Sequence, residues 1–367
     1  MGKKGVQLAA NIGRAGYRDT SGSMTVFQVE PLADPRWARL SLRHPNATVF
    51  HTPGWLMALR NAYGYEPIAV TTTPAGEELE NGIVFCRIRS WLTGNRLVSL
   101  PFSDHCEPLV DSQAEFDCLL GRFKEDRQGE TRCIELRPLT SRFADHGGLA
   151  PTEEFRLHRI TLPSSADAVF QRFHQNIQRN IRRAESRLLR YEKGTSEKLL
   201  EDLRALLTLT RKRHFLPPQP LIWFRSLLDC LGSRIAIRVA YKGETPVAGI
   251  LTLRHNDVMV YKYGGYDTRY RDCGGMAFLL WRSIQEACQE GLREFDLGRS
   301  DSGDAGLIRF KEGWGGTGST LTYWKCGGRR FDGAPSRIVS QWARHVLPYM
   351  PDRLAAIAGG LLYRHVG

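Results

Sequence analysis

Two segments of this chain repeat the same order of features, and this repeat limits the available folds more than any other part of the sequence. The first is TPGWLMALRNAYGYEPIAVTTTPAGEELENGIVFCRIR and the second is PLIWFRSLLDCLGSRIAIRVAYKGETPVAGILTLRHN. In each, a Trp-led amphipathic helix precedes an apolar strand, a glycine-containing turn and a second strand opened by glycine. The spacing from Trp55 to Gly82 is nearly that from Trp223 to Gly249. Two matched units predict a duplicated domain.

Length and composition agree with two globular domains. The chain has 367 residues, of which 42% are apolar and 25% charged. A helix followed by an antiparallel hairpin, further strands and another helix is the opening of an α/β (α+β) domain with a mixed sheet. No run approaches the roughly 20 apolar residues that a membrane helix needs. We therefore expect two such domains with a cleft between them.

A second informative stretch, FDLGRSDSGDAGLIRFKEGWGGTGSTLTYW, spans Phe295 to Trp324. Its pattern predicts a strand, a polar glycine-rich loop, a short basic helix and another strand, and we place the end of the first strand at Asp296 and Gly298. The loop then carries Arg299, Ser300, Asp301, Ser302 and Asp304, and the helix carries Arg309, Phe310 and Lys311. On residue types alone, a site and an ordinary solvated loop with a packed Trp314 are equally open.

The order FDxG, a Gly-Leu helix with FK, then WG and an apolar strand resembles the C-terminal half of the FemABX family. Members of that family are tandem-GNAT aminoacyl transferases. The same signature is found in FemAB-related proteins of exopolysaccharide loci and in acetyltransferase-like proteins of cellulose biosynthesis. The resemblance covers roughly Val26 to Trp324. It implies two tandem GNAT-like domains with mixed, largely antiparallel sheets and a cleft between them.

The resemblance and the repeat together suggest four parts of the chain. They are a disordered leader (1–23), an N-terminal GNAT-like domain (24–160), a C-terminal GNAT-like domain with an Arg-rich helix (161–334) and a C-terminal helical appendix (335–367). The appendix alternates apolar and basic residues, so docking on the second domain and contact with an anionic membrane surface are both open. The N-terminus lacks the apolar core of a secretory signal, which favours a cytoplasmic protein.

The resemblance implies a catalytic carboxylate after a Gly-Pro-x-x-Asp motif in the first domain. Here the motif reads Glu-Pro-Leu-Val-Asp and ends at Asp111, with Glu107 in the place of glycine. Just upstream, Asp104 stands beside His105 in a predicted loop and is a second candidate, although an Asp that caps backbone amides is an equal alternative. Lys311 aligns with a family lysine that binds donor charge. No nucleophile elbow is present, which disfavours an acyl-enzyme.

Further residues are candidates for binding the donor or substrate. Arg179, Arg182 and Arg183 lie in QRNIRRAES, which resembles the Arg-rich helix of the family, and could hold a diphosphate or form a solvated basic face. Tyr261 and Tyr263 are predicted to share one strand face, where they line the cleft or pack. The loop and the helix add Arg299, Ser300, Asp301, Phe310 and Trp314.

The donor itself stays open between aminoacyl-tRNA and acyl-CoA. GNAT enzymes that use acyl-CoA have Arg/Gln-x-x-Gly-x-Gly/Ala before a helix, whose amides hold pyrophosphate. The segment from Arg271 to Ala277 supplies the first elements and then has Met276 where Gly or Ala belongs. Eight cysteines without a CxxC pair predict reduced thiols and no metal site. We expect no tightly bound cofactor.

The first hypothesis is therefore a FemABX-like N-acyltransferase that modifies an amine of a cell-envelope or polysaccharide precursor. Two alternatives are an acyl-CoA-dependent acetyltransferase of exopolysaccharide biosynthesis and a non-catalytic adaptor that binds RNA or an envelope complex. The net charge of +12 favours polyanionic partners. The expected partners are a small-molecule, lipid-linked or nucleotide-linked precursor, aminoacyl-tRNA and the anionic inner face of the membrane, but not DNA.

Overall fold

A single mixed sheet of twelve strands runs through this computed structural model, which describes residues 24–126, 133–145, 148–327 and 359–365. The strands are β1 (Phe27–Val29), β2 (Glu66–Thr71), β3 (Ile83–Ile88), β4 (Arg96–Ser99), β5 (Cys133–Leu136), β6 (Ala150–Thr161), β7 (Arg190–Gly194), β8 (Ile235–Lys242), β9 (Thr245–His255), β10 (Val258–Tyr266), β11 (Glu294–Asp301) and β12 (Thr317–Cys326). The α-helices are α1 (Pro35–Arg43), α2 (Pro53–Tyr63), α3 (Gln113–Asp126), α4 (Ala166–Phe170), α5 (Gln175–Ser186), α6 (Glu197–Arg213), α7 (Leu221–Leu231), α8 (Gly275–Gln289) and α9 (Ala305–Glu312). The strand order is β1-β2-β3-β4-β5-β12-β6-β11-β10-β9-β8-β7.

The two halves of the sheet have the same topology. Strands β1 to β4 form an antiparallel meander, and β5 then pairs in parallel with β4 after the crossover helix α3. Strands β7 to β10 form a second meander, and β11 pairs in parallel with β10 after α8. A parallel pair needs such a crossover, whereas a hairpin does not. The predicted duplication and the largely antiparallel sheet are confirmed.

The halves are joined because their last strands cross over. Strand β12 lies between β5 and β6, pairs with β6 along most of its length, and pairs with β5 from Trp324 to Cys326. Strand β6 in turn pairs with β11 of the second half. The two sheets are therefore one continuous sheet. The proposed boundary between 160 and 161 lies at the end of β6 and stays a prediction.

The repeated tryptophans meet in one core. Trp55 on α2 and Trp223 on α7 are both fully buried, and their rings make an edge contact with centroids 5.2 Å apart. They belong to an apolar cluster that includes residues of both halves. The other face of the second half is covered by α5 and α8, where Ile177 and Ile181 are buried. The duplicated helices thus hold the halves together.

The pattern predicted for Phe295 to Trp324 is confirmed in its order of strand, loop, helix and strand. Its first boundary is wrong, because β11 does not end at Gly298 but continues through Arg299 and Ser300 to Asp301. A bulge at Gly298 interrupts the pairing with β6 without ending the strand. The residues predicted to lie in a loop are therefore partly held in the sheet.

The chain ends are described only in part. The leader 1–23 lies outside the described residues, as does most of the appendix 335–367. Residues 359–365 are helical and contact both halves: the Tyr65 hydroxyl donates to the carbonyl of Tyr363 at 2.7 Å, and the Tyr363 hydroxyl donates to the carbonyl of Pro217 at 2.9 Å. The described part of the appendix therefore docks on both halves of the chain, and not on the second half alone. Among the described residues, no helix has the length and apolar character needed to cross a bilayer.

Candidate active site

The parallel strands β10 and β11 are paired over a short distance and then part. The register joins Val258–Val260 to Glu294–Asp296, whereas β10 continues to Tyr266 and β11 to Asp301. Residues 261–264 are partly exposed although they lie in the middle of a twelve-stranded sheet. In sheets with parallel strands, ligands bind where neighbouring strands diverge at their carboxyl ends. This opening is the candidate site.

A bulge in β10 places a lysine at the opening. Tyr261 pairs with Thr252 and Tyr263 with the adjacent Leu251, so Lys262 is an extra residue in the strand. The inserted residue breaks the alternation of side chains. Tyr261 packs on the core under α8, while Tyr263 packs on the core shared by both halves. The prediction that these tyrosines share one face is therefore wrong.

A second bulge lies opposite, in β11. Asp296 pairs with Arg159 and Arg299 pairs with Leu157, so two residues of β11 face one residue of β6. Gly298 has φ +71°, a conformation that glycine adopts without steric cost. A Cβ at Gly298 would lie 3.3 Å from Oδ2 of Asp104, closer than most carbon contacts allow. The bulge therefore lets β11 approach the first half of the chain.

Asp104 comes from the first half and lies among cations of the second. Its Oδ1 is 3.1 Å from Nζ of Lys262 and 3.9 Å from Nε of Arg299. Burial raises the pKa of the Asp104 carboxyl, but the charges of Lys262 and Arg299 outweigh burial and the pKa is lowered. Asp104 is thus an ionised carboxylate at neutral pH. The structure brings together two sequence candidates, Asp104 and Arg299.

Lys262 is a candidate site residue that the sequence analysis missed. Its ammonium lies over the rings of Phe50, Trp55 and Tyr263, at 5.3, 5.9 and 5.8 Å from their centroids. Burial lowers the pKa of Lys262 and the carboxylate of Asp104 opposes this shift. Aromatic faces attract a desolvated cation. The available signal was a lysine between tyrosines in the apolar strand VYKYGGY.

Lys311 reaches the same opening from α9. It is 3% exposed, and its Nζ donates to the carbonyls of Gly298 at 2.7 Å and Arg299 at 2.9 Å. Burial lowers its pKa to about 8, against the opposing effect of Asp104 and Asp296. Lys311 is therefore mainly an ammonium at pH 7, with a third N–H beyond the two that bind the bulge.

His105 faces away from its neighbour in sequence. Its Nε2 is 3.3 Å from Oδ2 of Asp296, whose Oδ1 accepts the N–H of Gly298 at 2.6 Å. Adjacent residues of an extended segment point to opposite sides, so Asp104 and His105 bind different partners. Three cationic side chains thus surround two carboxyl groups at the opening. Such an excess of positive charge suits a transition state that gains negative charge.

The remaining residues of the Gly-rich stretch surround this cluster. The guanidinium of Arg299 lies 4.0 Å from the ring centroid of Phe155. Ser300 is buried, and its hydroxyl has no hydrogen-bond partner within the described part of the chain. Asp301 is exposed. Trp314 is buried and makes an edge contact with Phe310 at 6.0 Å between centroids, so both pack behind the site.

Asp111 lies in a different environment from Lys311. It is exposed, its N–H donates to Oε2 of Glu115 at 2.8 Å, and it lines a surface groove with Arg43 and His44. The electrostatic partners of Lys311 are Asp104, Asp296, Lys262 and Arg299. The structure therefore groups Asp104, not Asp111, with Lys311. A catalytic role for Asp111 stays a prediction.

The arginines of the predicted donor site lie on α5 beside the start of α8. Arg179, Arg182 and Arg183 are exposed. A Cβ at Gly274, which has φ +70° and precedes α8, would lie 2.9 Å from the carbonyl oxygen of Asn180, so α5 and the start of α8 are in close contact. The N-terminus of a helix offers free N–H groups to an anion.

Comparisons with known proteins agree with this fold. Residues 171–312 match the family described as acetyltransferase (GNAT) domain. The structure of FemX is similar with a TM-score of 0.66 and 13% identity, covering 79% of this chain and 95% of FemX. A tandem GNAT protein from the clavulanic acid biosynthesis pathway is similar with a TM-score of 0.53 and 10% identity, covering 83% and 99%.

A third similar structure is the C-terminal domain of a protein named as a lysylphosphatidylglycerol synthetase from Agrobacterium fabrum. Its TM-score is 0.52 at 13% identity, and the match covers 85% of this chain and 96% of that domain. A search of curated protein sequences finds no significant match. At these identities the structural likeness establishes the fold.

Residues 171–312 match the acetyltransferase (GNAT) domain family, and the protein is therefore an acyltransferase. The whole described chain has the fold of tandem-GNAT proteins that includes FemX. The tandem-GNAT fold implied by the resemblance stated from the sequence is confirmed.

Proposed function

We propose that this chain is an N-acyltransferase that acylates an amine of a cell-envelope or polysaccharide precursor at the opening between β10 and β11. The observation that supports this most directly is the cluster in which Asp104 of the first half meets Lys262 and Arg299 of the second, beside Lys311. The site is assembled from both halves, which allows donor and acceptor to approach from different domains.

The cluster has the groups that acyl transfer needs. When an amine attacks an acyl carbonyl, the carbonyl oxygen gains negative charge, and the third N–H of Lys311 with the charge of Lys262 would stabilise it. The Asp104 carboxylate has a lowered pKa, so it is a weak base and suits the orientation of the acceptor's amino group. As the amide C–N bond forms, the acceptor amine loses a proton to solvent, and the bond between the acyl carbon and the oxygen or sulfur of the donor breaks, so that the leaving group departs and takes up a proton from solvent.

The similar structures support an envelope-related substrate. FemX is matched over 95% of its length. The name lysylphosphatidylglycerol synthetase denotes attachment of lysine to a phospholipid, which supports an aminoacyl donor and an envelope acceptor. We therefore propose aminoacyl-tRNA as the donor, a lipid-linked or nucleotide-linked precursor as the acceptor, and action at the cytoplasmic face of the membrane.

One observation favours acyl-CoA as a second candidate donor. Gly274 and Gly275 open α8 close to the arginine-rich α5, where helix amides and guanidinium groups would hold a pyrophosphate. The matched family is described as an acetyltransferase domain, and the clavulanic acid pathway structure is described as lacking AcCoA. The transferred group would then be an acetyl or another short acyl group.

The donor is identified by the melting temperature of the purified protein with acetyl-CoA, with aminoacyl-tRNA and with a nucleotide-linked sugar precursor, each against a matched inert anion. A ligand that binds the native state raises the melting temperature by mass action. A specific rise with aminoacyl-tRNA supports aminoacyl transfer, and a rise with acetyl-CoA alone makes acetylation the function. No rise with any of them contradicts both.

Substitution of two aspartates distinguishes the proposed site, which contains Asp104, from the site suggested by the sequence motif, which contains Asp111. We expect Asp104→Asn to lower kcat/KM by about 10² to 10³, because the charge that faces Lys262 is lost. Asp111→Asn is expected to keep most activity, since its contacts lie at another surface. Both proteins are assayed with the donor found above, with circular dichroism as the folding control. Loss of activity in Asp111→Asn alone would reverse the assignment.

A further inference from the structure

The connection between β3 and β4 presents the most exposed tryptophan among the described residues. Trp91 is 85% exposed and the adjacent Leu92 is 48% exposed. The other tryptophans that the structure describes are at least nine-tenths buried; they are Trp37, Trp55, Trp223, Trp281, Trp314 and Trp324. Large apolar side chains that remain in water at a loop tip indicate an interaction surface.

The tip is held in place by hydrogen bonds. Oγ of Ser90 accepts the N–H groups of Leu92 at 3.2 Å and Thr93 at 2.9 Å. Oγ1 of Thr93 donates to the carbonyl of His365 at 2.8 Å, and Nη2 of Arg96 donates to the same carbonyl at 3.0 Å. The C-terminal helix 359–365 therefore braces the tip. The ring of Trp91 also makes an edge contact with the ring of His365, with centroids 5.5 Å apart.

A polar cavity with three arginines is formed by the same strand, β3, and the same C-terminal helix. Its volume is about 220 Å³, and it is lined by Tyr63, Gly64, Tyr65, Glu66, Arg87, Arg89 and Arg364. Glu66, which is 2.7 Å from Arg89, is the single acidic residue of this lining. Guanidinium groups bind phosphate oxygens through paired hydrogen bonds. The positive charge of the cavity thus complements a phosphate-bearing headgroup.

We propose that these features form a membrane-binding face, composed of Trp91, Leu92 and the cavity of Arg87, Arg89 and Arg364, which binds an anionic phospholipid surface. Trp91 and Leu92 enter the boundary between headgroups and acyl chains, where tryptophan is favoured. The arginines bind lipid phosphate, and each basic residue near an anionic surface adds to the attraction. This face lies outside the transfer chemistry and does not depend on the identity of the donor.

The pairing of tryptophan with leucine favours a membrane over nucleic acid. A base could stack on Trp91, but an RNA strand offers no apolar interior for the neighbouring Leu92. A bilayer takes up both side chains at the boundary of its headgroups, and its phosphates are ligands for the arginines. A membrane and an RNA would both present phosphate groups to the arginines, and the experiment distinguishes these two sources of phosphate.

The test is sedimentation of the full-length protein with vesicles of phosphatidylcholine alone and with vesicles that also contain phosphatidylglycerol. We expect binding to the anionic vesicles, and a loss of about tenfold in the partition coefficient for Trp91→Ala. The matched control is Leu188→Ala, because Leu188 is 88% exposed in the turn between α5 and β7. We expect this control to bind as the wild type does.

Tryptophan fluorescence gives a second readout. Emission of the wild type should shift to shorter wavelength with anionic vesicles, while Trp91→Phe should still bind and lose most of the shift. Three results would overturn the proposal: no sedimentation of the wild type with anionic vesicles, equal losses in the Ala variants of Trp91 and Leu188, or a Trp91 dependence seen with tRNA and absent with vesicles.

Discussion

At the scale of single residues, the site depends on two lysines, Lys262 and Lys311, whose pKa values are lowered by burial. Lys311 donates to two backbone carbonyls of the β11 bulge, and Lys262 lies among three aromatic rings beside Asp104. Each ammonium has three N–H groups, of which Lys311 uses two on these carbonyls and Lys262 pairs with one oxygen of Asp104, so each keeps capacity to bind a negatively charged group. The chemistry of the opening is therefore sensitive to pH.

Activity should fall as pH rises through the pKa of Lys311, which is about 8. The ammonium form supplies the N–H that stabilises the oxyanion, and this form is lost above that pH. We expect the alkaline decline of kcat/KM to move to higher pH in Lys311→Arg, since guanidinium stays charged. A pH profile of kcat/KM for both proteins checks this, and an unmoved decline would assign it to another group.

The pH dependence of stability distinguishes loss of the Lys311 charge from unfolding as the cause of the decline in activity. The pKa of Lys311 is lowered in the folded state from 10.5 to about 8, so the unfolded chain binds more protons between these values. The contribution of this group to stability therefore rises with pH in that window. Urea unfolding at about pH 7.5 and about pH 9.5 checks this. The free energy of unfolding should change less between these two pH values in Lys311→Met than in the wild type.

At the scale of elements, two bulges form the site by displacing β10 and β11 from regular pairing. Lys262 is the extra residue of β10, and Gly298 occupies the bulge of β11 with φ +71°. Bulges re-aim side chains next to functional sites. The short helix α9 follows at once, with Asp304 as N-cap accepting the N–H of Leu307 at 2.9 Å, and its Lys311 donates to the carbonyls of Gly298 and Arg299 in the bulge.

Gly298→Ala should lower both stability and activity. A left-handed alanine costs about 1 to 2 kcal/mol, and the new Cβ would also press on Asp104. The matched control is Gly291→Ala, because Gly291 has φ +72° and nothing lies within 4 Å of the added carbon. Urea unfolding should show the conformational cost in both variants. Reduced kcat/KM should appear in Gly298→Ala, and equal activity of the two would contradict the role of the bulge.

At the scale of the whole molecule, the duplicated halves behave as one structural unit. Strand β12 closes the gap between β5 and β6, and the cluster around Trp55 and Trp223 contains residues of both halves. The opening at β10 and β11 is completed by Asp104 from the first half. Displacement of one half against the other would therefore separate the charges of the site.

Trp223→Ala should destabilise the whole chain. Removing a fully buried tryptophan costs about 3 to 5 kcal/mol, and Trp223 contacts Trp55 across the halves. Because the sheet is continuous, circular dichroism and loss of activity should follow the same urea transition. Trp91→Ala is the control, since this exposed residue should change stability by about 0.5 kcal/mol or less. Two separate transitions in the wild type would show that the halves unfold independently.

The sequence by itself determined the duplicated helix and hairpin, the mixed sheet and the order of elements from Phe295 to Trp324. These follow from local periodicity and turn residues, which act over a few positions. It also indicated Asp104, Arg299 and Lys311 as site candidates.

The tertiary structure decided which of the candidates meet. Lys262 and Asp104 are far apart in sequence, and their contact depends on two bulges and on the docking of the halves. The motif that pointed to Asp111 describes a local pattern and says nothing about its neighbours in space. Bulges arise from the balance of pairing and packing across strands, which no local pattern encodes. For that reason the fold could be predicted, while the composition of the charged cluster required the three-dimensional arrangement.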